Sequence, residues 1–189
     1  AGDVNGDGYS DVIIGSYDYT NGESDEGKVF VYHGSAAGLS AIANWSEEGD
    51  QASANFGLSI AGAGDVNGDG YSDVIIGAPM YDNGQTDEGK AFLYYGSATG
   101  LSATADWTAE GDQAGAIFGE DVAGAGDVNG DGYSDIMIAS LYYDNGQTDE
   151  GKVFVYHGAA AGLSATANWT AEGDQNYANF GCSLDSAGD

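Results

Sequence analysis

Apolar and polar positions alternate in short blocks along this chain. Asp73-Val-Ile-Ile-Gly77 is a continuous apolar run, the pattern of a strand buried on both faces. A polar loop, Tyr81-Asp-Asn-Gly-Gln-Thr-Asp-Glu-Gly89, separates it from a second run, Lys90 to Tyr95, whose later counterpart is Val153-Phe-Val-Tyr-His157. A glycine-bounded turn, Gly96 to Gly100, then leads to a weaker segment around Ala103 to Trp107. A fourth short strand, Phe118 to Ala123 and its equivalents, runs into a loop rich in Gly and Asp. Nothing carries the 3.6-residue period of a surface helix. The pattern predicts an all-β protein.

The blocks recur. Ala-Gly-Asp-Val-Asn-Gly-Asp-Gly-Tyr-Ser-Asp begins at Ala1, Ala63 and Ala125, a period of 62 residues. Trp45, Trp107 and Trp169 keep that period, as do Phe56-Gly57, Phe118-Gly119 and Phe180-Gly181. The units are 1–62, 63–124 and 125–189, the last including Ala187-Gly188-Asp189 as the opening of a fourth copy. No linker separates them, so they must pack directly on one another. Four short strands in a unit of this length suit the blade of a β-propeller.

Charge narrows the function. The 189 residues hold 31 Asp plus Glu against three lysines and no arginine, a net charge of −28. Nucleic acids and anionic membranes are poor partners for such a surface, and divalent cations are good ones. No apolar run approaches the roughly 20 residues that a membrane helix needs. The single cysteine, Cys182, excludes an internal disulfide and reads as a small apolar side chain.

The repeated loop carries the candidate chemistry. In Asp3-Val-Asn5-Gly-Asp7-Gly-Tyr9-Ser-Asp11, side-chain oxygens stand at loop positions 1, 3, 5 and 9. The carbonyl of Tyr9 is available at position 7, and Gly8 permits the sharp turn at position 6. Calcium takes 6–8 hard oxygen ligands, and alternate spacing aims successive side chains at one point. The loop recurs as Asp65, Asn67, Asp69, Tyr71 and Asp73, and as Asp127, Asn129, Asp131, Tyr133 and Asp135. Three copies at one period predict about one calcium ion per unit. An EF-hand is excluded, because position 12 is Ile14 and not glutamate.

The unit resembles the FG-GAP repeat, the blade of integrin α-subunit propellers and of many bacterial secreted proteins. Phe118-Gly119 matches the first half of that name and Gly77-Ala78-Pro79 the second. Unit one has Gly15-Ser16-Tyr17 and unit three Ala139-Ser140-Leu141 at the second position. The resemblance implies a β-propeller with the calcium loop between the first two strands of a blade. It also implies that the five loop positions named for each unit are the ligands, and that the protein works outside the cell or on its surface.

No nucleophile elbow, phosphate loop or Cys-His cluster appears, so the chain reads as a non-enzyme. Asp25-Glu26, Asp87-Glu88 and Asp149-Glu150 resemble glycosidase acid pairs, but their triplication favours a solvated loop or a second, weaker cation site. The expected role is a calcium-bound scaffold or adhesion module with a protein or glycan ligand. The alternatives are the non-catalytic propeller of a secreted hydrolase and a lectin with one tryptophan-based sugar site per blade. Because Phe180 to Asp185 reads as a leftover strand, the expected partner is a second copy, making three blades plus three, or further repeats of a longer array. Asp189 duplicates Asp3, which favours the longer array.

Overall fold

The computed structural model describes residues 1–188; Asp189, the last residue of the fourth-copy stub, lies outside them. Eleven strands form three antiparallel sheets, with no helix among the described residues. The first sheet has three strands in the order β1 (Val12–Ser16), β2 (Lys28–Tyr32), β3 (Trp45–Glu48). The second has four: β4 (Ile60–Gly64), β5 (Asp73–Ala78), β6 (Lys90–Tyr94), β7 (Trp107–Glu110). The third repeats it with β8 (Phe118–Gly126), β9 (Asp135–Ser140), β10 (Lys152–Tyr156) and β11 (Trp169–Glu172). Each four-stranded sheet therefore takes its first strand from the end of the preceding 62-residue unit.

Alternation of side chains explains the stacking. In β5, Ile75 joins a core with Phe118, Val122, Ile136 and Ile138 of the third sheet. Its neighbours Val74 and Ile76 point the other way, into a core with Val4, Val29, Val31 and Phe56. One strand thus serves two cores, and all six of its residues are buried. In β1, by contrast, Val12 and Ile14 are 37% and 49% exposed, because no sheet covers that face.

The paired glycines mark places where backbone of neighbouring units meets closely. A Cβ on Gly77 would lie 2.0 Å from the carbonyl oxygen of Gly119, and one on Gly15 would lie 2.1 Å from that of Gly57. Here the chain needs glycine because backbone meets backbone. At the third position Ala139 stands instead, against Gly181.

Two segments differ from the sequence reading. The weaker strand begins at Trp107 and runs to Glu110, whereas Ala103 to Trp107 had been its expected extent. Residues 102–106 instead fold back on the end of β6, through Ser102 N–H to Tyr95 O and Asp106 N–H to Leu93 O. Phe180 to Asp185 forms no strand. The ladders of β4 and β8 are made with β5 and β9, and among the described residues no equivalent hairpin faces 180–185. Phe180 is consequently 38% exposed, while Phe56 and Phe118 are buried and stack edge-on against Phe92 and Phe154. Cys182 is also exposed, not packed as a small apolar side chain.

Phe118→Ala is expected to cost about 3–5 kcal/mol through the void it leaves, and Phe180→Ala under about 1 kcal/mol, because it fills no core. Urea unfolding of the two variants beside the parent checks the contrast.

Candidate metal centres

Each Asp-Asn-Asp loop is a turn wound around its own side chains. In the first, Asp3 accepts hydrogen bonds from the N–H groups of Asp7 (3.1 Å) and Gly8 (2.8 Å). Asn5 Oδ1 accepts from Asp7 N–H, and Asp7 Oδ1 accepts from Tyr9 N–H. The second and third loops repeat these bonds around Asp65, Asn67 and Asp69, and around Asp127, Asn129 and Asp131. In the third loop, the Gly132 N–H and its neighbours hold the Asp127 carboxyl below its usual range. Left-handed glycines make the turn possible, with Gly6 at φ 71° and Gly8 at φ 89°.

The fifth position differs from the other four. Asp11, Asp73 and Asp135 are buried at the start of the following strand. Asp11 ties the loop to the rest of its sheet, accepting from Val4 N–H with one oxygen and from Gly34 N–H with the other, each at 2.8 Å. Asp73 and Asp135 do the same with Val66 and Gly96, and with Val128 and Gly158. Burial pushes the Asp73 carboxyl up from 3.8 to about 7. The Gly96 and Val66 N–H groups oppose the rise, and the Asp69 and Asp65 carboxylates add to it. A buried carboxylate beside two others is a site that a cation would relieve.

The residues present fit calcium in kind. The donors are carboxylates, one amide oxygen and a backbone carbonyl, all hard oxygens. Each carboxylate oxygen that accepts one N–H keeps lone-pair capacity for a metal. Tyr9, Tyr71 and Tyr133 reach the site by their backbone only. The rings of Tyr71 and Tyr133 pack instead on the preceding loop, against Gly6 and Gly68.

The loops also join blade to blade. Asp3 donates its N–H to the Ser72 hydroxyl at 3.1 Å and accepts the Ser72 N–H at its carbonyl. Asp65 makes the same pair with Ser134. Sequence reading missed this joint, although the period places a serine before every fifth ligand.

A second set of acids, outside these loops, is brought closer together. Carboxylate oxygens of Glu26, Glu48 and Asp50 lie within 4.8 Å of one another, as do those of Glu88, Glu110 and Asp112, and those of Glu150, Glu172 and Asp174. Among the described residues these are the acidic groups that meet that distance. Asp25, Asp87 and Asp149 do not take part; they sit in left-handed turns beside the clusters. The expected pairs of adjacent acids are thus replaced by triads from two separate loops. The sequence signal was the shared period of Glu-Gly-Lys and Glu-Gly-Asp-Gln.

Trp45 and Trp107 are used in packing between sheets. Their indole N–H groups donate to the Ser102 and Ser164 carbonyls, and their rings meet Tyr94 and Tyr156 edge-on. Trp169 has no sheet beyond it and is 53% exposed.

With this geometry in place, known proteins can be compared. The FG-GAP repeat family matches residues 1–32, 56–94 and 118–156, more than half of the chain. Human integrin alpha-7 is 36% identical over 144 residues, covering 74% of this chain and 11% of that protein. Integrin alpha-V of Gallus gallus is 34% identical over 177 residues, covering 91% and 16%. The phosphatidylinositol-glycan-specific phospholipase D of Bos taurus is 31% identical over 198 aligned positions, covering 96% and 23%. The chain thus spans less than a quarter of each of these relatives. Among solved structures, rhamnogalacturonan lyase YesW aligns with a TM-score of 0.49 at 15% identity, over 92% of this chain and 33% of that one. The matched segments each hold one metal-type loop with the strand pair that follows it, and on that correspondence the chain belongs to the FG-GAP repeat family of integrin-like β-propellers.

Proposed function

We propose that this chain is a calcium-stabilised, non-catalytic propeller scaffold that works outside the cell. Units 1–62, 63–124 and 125–189 each bind one calcium ion. The ligands are Asp3, Asn5, Asp7, the Tyr9 carbonyl and Asp11, with their equivalents Asp65, Asn67, Asp69, Tyr71 and Asp73, and Asp127, Asn129, Asp131, Tyr133 and Asp135. Bound calcium would supply positive charge among the three carboxylates of each loop, which would have to draw closer together to share it. The protein's own part is to hold the loop oxygens in one turn and to tie that turn to the next blade through Ser72 and Ser134.

The observation that carries this reading is the placement of Asp11, Asp73 and Asp135: buried acids, each bonded both to its loop and to the turn that follows β2, β6 or β10. A cation there fastens the loop to the sheet. Millimolar calcium outside cells fills even weak sites of this kind. No helix in the described residues is long and apolar enough to cross a membrane.

The second role is docking to another blade. The third blade offers Trp169, Val128 and the backbone edge of Asp127 on one face. The first blade carries the matching Ser10, with Tyr9 and Ile14 exposed on the opposite face. The contacts between the first and second blades, and between the second and third, supply the template. A second copy or a further repeat is the partner.

Membership in a hydrolase is the alternative, favoured by the phospholipase D relative that matches 96% of the chain; a catalytic domain in the same reading frame would establish it. The lectin reading loses support because Trp45 and Trp107 are engaged between sheets.

Calcium removal by chelation is expected to lower the melting temperature, and calcium to restore it. Asp7→Asn, Asp69→Asn and Asp131→Asn together should abolish that response; an unchanged response overturns the loop assignment. In calcium-free buffer, burial of Asp73 makes the folded chain hold a proton between pH 3.8 and about 7 that the unfolded chain releases. That contribution to stability is therefore lost as pH rises through this window. Urea titrations should show it in the parent and not in Asp73→Asn. Native mass spectra in calcium should show multiples of the 19.2 kDa chain, and Trp169→Glu should leave monomers.

A further inference from the structure

The geometry points to a second divalent-cation site in each blade, distinct from the Asp-Asn-Asp loop and made by the triads Glu26/Glu48/Asp50, Glu88/Glu110/Asp112 and Glu150/Glu172/Asp174. The ligand class is a hard divalent cation of calcium size.

Gly49, Gly111 and Gly173 each donate their N–H to the carbonyl of Gly27, Gly89 and Gly151. That bond clips the Glu-Gly-Lys loop to the Glu-Gly-Asp-Gln loop and brings one acid of the first against two of the second. Two oxygens on one calcium lie at most about 5 Å apart, twice the usual metal–oxygen distance. The triad oxygens meet that limit, all lying within 4.8 Å.

An independent observation comes from Glu150. Its side chain is fully buried. One oxygen accepts the Asn145 N–H at 2.5 Å, but the other, Oε2, is enclosed with no hydrogen-bond partner among the described residues. Leaving a buried carboxylate oxygen unpaired is costly, and a cation is the partner that removes the cost.

The nearby lysine does not fill that role. Lys152 pairs with Glu172 at 2.8 Å and lies over the Tyr143 ring, 4.5 Å from its centroid. Its salt bridge is to Glu172, not to Glu150. Three carboxylates and one ammonium leave two negative charges, the charge of one divalent ion. The same lysine pairs recur as Lys28–Glu48 and Lys90–Glu110. Glu172 accepts from Asn145 Nδ2 at 2.8 Å as well as from Lys152, so the same two partners fix its carboxylate beside Glu150.

The experiment is equilibrium dialysis of the full chain against calcium chloride at millimolar free calcium. The clusters should add one ion for each of three triads to whatever the three loops bind. Glu150→Gln keeps the acceptor for Asn145 and should remove one ion. Asp174→Asn is the second variant; its site has φ 51°, which asparagine adopts readily, so folding is preserved. It should weaken that same ion at least tenfold. The triple loop variant removes a different set of ions, so failure of the loops and failure of the triads are told apart. Isotherms of Glu150→Gln and Asp174→Asn that superimpose on the parent overturn the proposal.

Discussion

A β-sheet without helices must bury both of its faces against something, and in this chain the only thing available is another sheet. The second sheet meets that constraint in full, and the side chains of β5 alternate between two cores to do so. Everything else follows from the joint this creates. Glycines stand where backbones touch at Gly15–Gly57 and Gly77–Gly119. Trp45 and Trp107 add to the joint, each donating its indole N–H to the next blade. Loops meet at the other end through Ser72 and Ser134. The second blade makes this joint twice, once as donor through Asp65 and Trp107 and once as acceptor through Ser72 and Ser102.

Acidic side chains are concentrated where these joints leave backbone unpaired. The Asp-Asn-Asp loops use carboxylates to satisfy several consecutive N–H groups in a tight turn, which neutral side chains would do with weaker bonds. The Glu-Gly-Lys loops use a buried glutamate in the same way, through the Asn21, Asn83 and Asn145 N–H groups. Collecting so many acids is tolerable when cations share the space.

Much of the architecture was legible from the chain. A period of 62 and an apolar run at 73–77 were enough for blades buried on both faces, because the spacing of strands and turns leaves few other solutions. The hydrogen-bonded turn of the Asp-Asn-Asp loops was legible as a candidate site because it is local: five positions within nine residues. The triads were not, since Glu26 reaches Glu48 and Asp50 only after two loops are clipped together by Gly27 and Gly49. Nor was the fate of 180–185, whose sequence matches β8 but whose pairing depends on a hairpin that it does not meet. Local pattern encodes what a segment can become; long-range pairing decides whether it does.

All three lysines are spent internally, each held by a glutamate and laid across a tyrosine and a phenylalanine. No basic side chain is left to advertise itself on the outside. Two such molecules approaching at random therefore meet like charge from every direction and part. In the proposed docking, burial of Trp169, now 53% exposed, in a complete joint is the gain that would have to outweigh that repulsion. Under that proposal, discrimination between right and wrong neighbours would lie as much in this uniform rejection, set by a net charge of −28, as in any contact made.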